Sequence, residues 1–373
     1  MRAETSIFLD AMRFSAACVV FLSHLTGSEF NTTLPWVRWG HEAVVIFFVM
    51  SGFVIAHVVD TREQSAASYA AARLGRLYSV MLPALALTAL LDPIGRLSAP
   101  ELYARIPDDA PALRIAASLL FIQQSWNLTV MPLSNGPFWS LGFEFWYYVI
   151  FGAWQLTTGH TRVVVMTVGA LVAGPRILAF FPLWLLGVLA YRLHQNWQPP
   201  ARLQTLFFTF AALSFVSLFV LGHPASTLTS FIEGIFPDGY IDTGLLRIFA
   251  GDIPKLPADL LLGLTFAALI VFLPHYRWRS IAAKRSARAI RHLAGSTFSL
   301  YLFHVPLLYF FVAIANIQRD NATQIVLTGA AVLLSSHMLS YLGERHVATY
   351  RRLFYWLIER CVRPFKNVKP SAG

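Results

Sequence analysis

Charge is scarce in this sequence: 13% of its 373 residues are Asp, Glu, Lys or Arg, whereas 56% are hydrophobic. Soluble domains carry about 25% charged residues, so an ordinary water-soluble fold is excluded. A mean hydropathy of +0.57 points to the membrane instead. Cysteine is nearly absent. Cys18 lies in an apolar run and Cys361 in a basic segment, a pair that implies neither a disulfide framework nor a zinc site. A catalytic thiol is a minority reading of Cys18, because a buried cysteine is usually a small hydrophobe. The N-terminus lacks a basic start and a cleavage site, and Glu4, Asp10 and Arg13 interrupt it, so it reads as a retained first span. There is no Walker loop and no dinucleotide-binding glycine fingerprint. His41-Glu42 lacks the second histidine of a zinc-protease helix, and the sequon-like Asn31, Asn127 and Asn321 are chance-level patterns. Neither a metal nor ATP is expected. Internal repeats and long hydrophilic linkers are also lacking. The expected organisation is therefore one transmembrane domain, residues 1–345, and a basic cytoplasmic tail, residues 346–373.

What the sequence has in abundance is apolar runs long enough to cross about 30 Å of hydrocarbon. They fall near residues 7–27, 42–59, 77–95, 138–156, 162–180, 180–193, 203–222, 257–274, 296–316 and 324–343. The net charge of +10 follows these spans rather than forming a nucleic-acid surface. With the N-terminus inside, the inner loops hold Arg73 and Arg76, then Arg192 and Arg202. The loop Tyr276–His292 holds six bases and no acid, and the segment from Glu344 holds seven bases against two acids. The outer loops 92–112 and 222–257 each carry four acids against two bases. This alternation is the positive-inside pattern. It predicts an all-α bundle of about ten transmembrane helices in the cell (inner, cytoplasmic) membrane, with both termini cytoplasmic. The two outer loops are long enough to cover a site, and Tyr276–His292 resembles a basic helix lying on an anionic leaflet.

Ionisable side chains inside spans are costly and tend to face a cavity. Arg13 and His24 are eleven residues apart, about 1100° of helical rotation, so they share a face at depths about 16 Å apart. They either present a cation towards the inside and a titratable base towards the outside of one cavity, or are an arginine that snorkels inwards or pairs with Asp10 and a merely interfacial histidine. Glu144 is expected a turn or two below the outer surface, near the level of His24, where a carboxylate can orient an imidazole that takes a proton from a hydroxyl. Arg73 and Arg76, neighbours on one helix, form two forks suited to phosphate on the cytoplasmic side. His304 lies beside Pro306 and is a lesser candidate, as are His57 and His337.

These residues fall in motifs that resemble the acyltransferase-3 family of membrane proteins, which O-acylate sugars, polysaccharides and some antibiotics. Leu9-Asp10-Ala11-Met12-Arg13 through to His24 is similar to the family's arginine, ten residues, histidine signature. Phe47-Phe48-Val49-Met50-Ser51-Gly52-Phe53 resembles its second-helix motif, and Arg73-x-x-Arg76-Leu77-Tyr78 its paired arginines. Trp139-Ser140-Leu141 with Glu144 and Ser299-x-Tyr301-x-x-His304-x-Pro306 resemble two later elements. Departures occur at Ser79, where proline is common, at Ala43, where glycine is usual, and in Glu344-Arg345-His346, which lacks a proline.

The resemblance implies the stand-alone form of the family. It further implies a transferase that moves an acyl group, most simply acetyl, from cytosolic acetyl-CoA to a hydroxyl of a carbohydrate. Acyl-CoA is then a co-substrate, and no cofactor is bound permanently. His24, Glu144 and Arg13 would be catalytic, Arg73 and Arg76 would hold the donor, and Ser140, Trp139, Tyr301 and His304 would line the cavity. The alternatives are a glycan transporter or flippase, and a non-catalytic acyl-binding protein. No inverted repeat with interrupted helices supports the transporter.

Overall fold

The computed structural model describes residues 1–27, 34, 37–63, 65–197, 199–221, 255–274, 281–318 and 320–366. All regular structure among them is helical. Most of the outer loop 222–257, together with Arg277, Arg279 and Asn31, lies outside the described residues. The helices are α1 (Ala3–Leu25), α2 (Gly40–Thr61), α3 (Ala66–Ser98), the short α4 (Pro100–Tyr103), α5 (Pro111–Leu119), α6 (Trp139–Leu156), α7 (Gly159–Asn196) and α8 (Ala201–Val216). They are followed by α9 (Leu256–Val271), α10 (Ile281–Ala294), α11 (Thr297–Ile314), α12 (Ala322–Leu339) and α13 (Val347–Lys366).

Among the described residues, seven helical stretches are long and apolar enough to cross a membrane: Ala3–Leu25, Gly40–Thr61, Ala66–Ser98, Gly159–Asn196, Ala201–Val220, Thr297–Ile314 and Ala322–Cys361. Leu256–Val271 is apolar but shorter. In α6, Glu144, Gln155 and five Trp or Tyr rings lower the hydropathy of an otherwise apolar helix. Two of the expected spans share α7, and their junction needs correction. The chain reverses at Gly174 (φ 78°, ψ 172°), not near residue 180. The turn sits where Pro175 cannot continue the preceding helix and glycine tolerates a positive φ. Both ends of α7 return to the end of α6. Arg162 Nε donates to the Thr157 carbonyl (2.7 Å), and the Arg192 guanidinium lies 5.8 Å from the Trp154 ring centre. At the turn, Trp126 N–H donates to the Ala173 carbonyl (3.2 Å).

Close packing of small residues sets the centre of the bundle. A Cβ added at Gly52 of α2 would overlap the Trp184 carbonyl of α7, and one at Gly187 would overlap the Val49 carbonyl. The two backbones touch there, as small residues permit inside membranes.

The stretch between α5 and α6 is exposed over residues 126–129 but buried on either side of them. Phe121, Gln123, Gln124, Ser125, Leu133, Ser134 and Asn135 are all buried, and Phe121, Trp126 and Leu133 adopt positive φ. Such backbone persists only where its surroundings fix it. Several contacts do so here: Asn135 Nδ2 donates to the Leu302 carbonyl (2.9 Å), Ser134 donates twice to Asp92, and Trp146 Nε1 donates to the Phe121 carbonyl. A 3₁₀ turn, Gly136–Phe138, then leads into α6. As a result α6 begins inside the bundle rather than at its surface.

The basic segment after residue 345 is not a separate tail. Helix α13 lies along α3 so closely that a Cβ at Gly75 would meet the Arg351 backbone at 2.7 Å. The Tyr78 and Phe354 rings are 5.1 Å apart.

Candidate active site

Two cavities enter the bundle from opposite ends. The first, about 370 Å³, is lined by residues at the close of α2 and the beginnings of α3, α11 and α13, including Val58, Glu63, Arg73, Phe298 and Arg351. It opens at the basic end. The second, about 430 Å³, is lined by the close of α1 and the beginning of α2, with Ser23, His24, Arg38 and His41, and by Met131, Gly136, Pro137 and Trp139. Val44 and Tyr301 line both. The two cavities therefore meet at a partition, where Tyr301 Oη and Ser140 Oγ are 2.9 Å apart and Phe47 packs edge-on against the Tyr301 ring.

The basic-end cavity collects four arginines and two glutamates: Arg13, Arg73, Arg76, Arg351, Glu63 and Glu144. Arg73 Nη2 donates to both oxygens of the buried Glu63 (2.9 and 3.0 Å), and its guanidinium also sits against the Tyr69 and Tyr148 rings. Arg73 Nε is buried without a partner, an orphan donor of the kind that an anionic ligand satisfies. Arg13 is 3.6 Å from Asp10. Arg76 lies over the Phe298 ring. Ser51 Oγ donates to Glu144 Oε1 (2.9 Å), and Tyr148 Oη donates to the same oxygen.

These positions correct one expectation. Glu144 does not support His24: its partners are Ser51 and Tyr148, and it faces the arginine cavity. The reason is the buried entry into α6. That helix starts within the bundle, so a residue only five positions along it already lies below the partition.

His304 stands where Glu144 was expected. It is fully buried, with Nδ1 3.0 Å from the Leu300 carbonyl and Nε2 3.2 Å from His24 Nδ1. A carbonyl only accepts, so His304 carries its proton on Nδ1 and offers the Nε2 lone pair. His24 Nδ1, also 2.9 Å from the Val20 carbonyl, must then be the protonated nitrogen of that ring. This leaves His24 Nε2 unprotonated as the nitrogen available to the cavity. The chain Leu300 carbonyl, His304, His24 is a relay that fixes a tautomer, the role a carboxylate plays in many sites.

Arg13 and His24 thus share α1 but serve different cavities. Trp139 lines the His24 cavity, Ser140 lines the arginine cavity, and Tyr301 belongs to both. Sequence reasoning missed Glu63, Tyr148 and Arg351, which carry no motif, and Asp259, which accepts from His41 Nε2 (2.9 Å). Only His41 gave a signal, as half of a rejected zinc pattern.

Among known proteins, Acyltransferase MdmB of Streptomyces mycarofaciens is 28% identical over 155 residues, 39% of this chain and 38% of that protein. The matched stretch thus spans well under half of that relative's length. Protein 2 in picA locus of Rhizobium radiobacter is 31% identical over 190 residues, 45% of this chain and 93% of that protein. No solved structure matches. Residues 6–341, which hold both cavities except for Val347 and Arg351, match the family described as an acyltransferase domain, and the chain belongs to this acyltransferase-3 family.

Proposed function

We propose that the protein is a membrane O-acyltransferase that takes an acyl group, most simply acetyl, from cytosolic acyl-CoA and transfers it to a hydroxyl of a carbohydrate on the outer side. The observation that carries this reading is the pair of opposed cavities meeting at Tyr301, one lined by arginines and the other containing the oriented His24. Arg76, Arg351 and the orphan Nε of Arg73 suit the phosphates of a CoA donor. The apolar interior formed by Val54, Ile55, Phe47 and Phe48 suits its pantetheine arm and thioester.

His24 Nε2 removes the proton of the acceptor hydroxyl as its oxygen bonds to the thioester carbonyl carbon. The tetrahedral intermediate collapses with cleavage of the carbon–sulfur bond, and the departing thiolate takes the proton from the His24 imidazolium. His304 and the Val20 carbonyl stabilise that imidazolium through Nδ1–H. A positioned base of this kind contributes about 10²- to 10⁴-fold, so His24→Ala should lower acyl transfer by that factor while leaving insertion and CoA binding intact. A variant that retains full activity would refute the reading. Wild-type protein that moves glycan across vesicles without forming acylated product would favour a transporter.

A further inference from the structure

Beside the His24 cavity lies another of about 430 Å³. The two share His41, Met131, Gly136 and Trp139, so an acceptor entering from the outer end meets both. The neighbouring cavity is neither an apolar slot nor a charged trough. Trp139 stands edge-on to Phe143, with ring centres 5.2 Å apart, and Phe180 packs against Phe143 in turn, giving an aromatic wall. Around it stand the amide of Gln124, the hydroxyl of Thr129, the imidazole of His41 and the guanidinium of Arg176, whose Nη1 donates to Gln124 Oε1 (2.9 Å). The volume falls within the range of about 300–1000 Å³ common to small-molecule sites, which combine apolar walls with a few placed polar groups.

His41 is the residue at the junction. Its Nε2–H is committed to Asp259 Oδ2 at 2.9 Å, and Asp259 is buried in the first turn of α9. Nδ1 remains for another partner, and His41 lines both cavities. Its position relative to His24 is set by tight packing, because a Cβ at Gly40 would overlap the Ser23 hydroxyl. The residues next to that contact are His24 on α1 and His41 on α2.

We propose that the neighbouring cavity is a second acceptor subsite that binds the sugar ring adjoining the one to be acylated, and that His41, held by Asp259, bridges the two rings. This rests on the carbohydrate-acyltransferase reading above. The chemistry selects a sugar because a pyranose presents an apolar C–H face to an aromatic wall and a rim of hydroxyls to amide, imidazole and guanidinium groups. A lipid chain would match the aromatic wall but offer no hydrogen-bonding group to the Thr129 hydroxyl or to His41 Nδ1. The preferred acceptor is accordingly at least a disaccharide.

The test uses the full-length protein in nanodiscs with acetyl-CoA and a panel of para-nitrophenyl monoglycosides and their disaccharide counterparts. The exposed Thr129 is replaced by cysteine and blocked after purification with a benzyl methanethiosulfonate, so that folding precedes obstruction. Wild-type protein is treated in parallel because it contains Cys18 and Cys361. Wild-type KM should be about tenfold lower for disaccharides, the worth of one or two added hydrogen bonds. Blocked Thr129→Cys should lose that advantage while keeping kcat and KM for monoglycosides. His41→Ala should raise KM for both classes, and more for disaccharides. An unchanged KM ratio in the blocked protein, or equal KM values in the wild type, would overturn the subsite alone. Wild-type protein that acylates no glycoside in the panel would remove the carbohydrate reading and the subsite with it.

Discussion

At the basic end the cavity gathers four arginines and offsets two of them with acids, Arg73 against Glu63 and Arg13 against Asp10. The His24 cavity, of similar volume, holds an imidazole whose own partners are neutral: the Val20 carbonyl and His304, itself oriented by the Leu300 carbonyl. On the acyl-transfer reading proposed above, the contrast reflects what each ligand brings. Fixed charges within a membrane cost about 2.5–3.5 kcal/mol each at the centre of a span, so arginines awaiting an anionic donor need acids to hold them in its absence. A base that must receive a proton and release it within a turnover is better served by neutral partners, which leave its protonation reversible.

The largest effect that would break this comparison, after loss of His24 itself, is at His304. His304→Ala should lower kcat on the order of 100-fold with the acyl-CoA KM unchanged, because only the tautomer and orientation of His24 are lost. His304→Gln, whose carbonyl can accept from His24 Nδ1–H, should recover part of the rate. An equal loss in both variants would show that His304 is merely structural. Next in size is Glu63→Gln. Removing one member of a buried ion pair costs about 3–5 kcal/mol, so the thermal midpoint should fall, and CoA should raise it by more than in the wild type because the donor takes over Glu63's role towards Arg73. A CoA-induced shift equal to that of the wild type would contradict this. Arg76→Ala should raise the acyl-CoA KM about tenfold, as for loss of a charged hydrogen bond, without altering the acceptor KM. The smallest effect belongs to Arg351→Ala. An exposed cation contributes about 0.2–1 kcal/mol, so the acyl-CoA KM should rise only two- to fivefold, with steep dependence on salt. A change in the acceptor KM in either arginine variant would dissolve the division of labour between the cavities.

Much of the frame was legible in the sequence, because hydropathy marks buried helices directly and because eleven residues on one helix fix a shared face whatever the surroundings. That spacing predicts separate stations for Arg13 and His24, and they line separate cavities. The partner of His24 was not legible. A depth for Glu144 near that of His24 follows from the pattern only if the preceding loop lies at the surface. The segment carrying Phe121, Gln123, Leu133 and Asn135 instead runs through the bundle, held by long-range bonds to Leu302 and Asp92 that no local pattern announces. The turn at Gly174 was blurred for a related reason. Pro175 and Pro182 both signal a break, and only the packing of Trp126 against Gly174 selects the first. Glu63 and Arg351 sit at helix ends, where charged residues ordinarily meet solvent, so their place in a cavity wall depends on tertiary contacts: Glu63 on its ion pair with Arg73, and Arg351 on how α13 packs against α3.

That packing orders the assembly of the protein in time. Chains are synthesised from the N-terminus, and the His24–His304 relay and partition are complete once α11 has joined the bundle. Val347 and Arg351 come later, and α13 must then seat against Gly75 before the wall of the arginine cavity is whole. A nascent chain therefore holds an oriented His24 before the wall of the arginine cavity is finished, so maturation of the two cavities is separated by the translation of about forty residues.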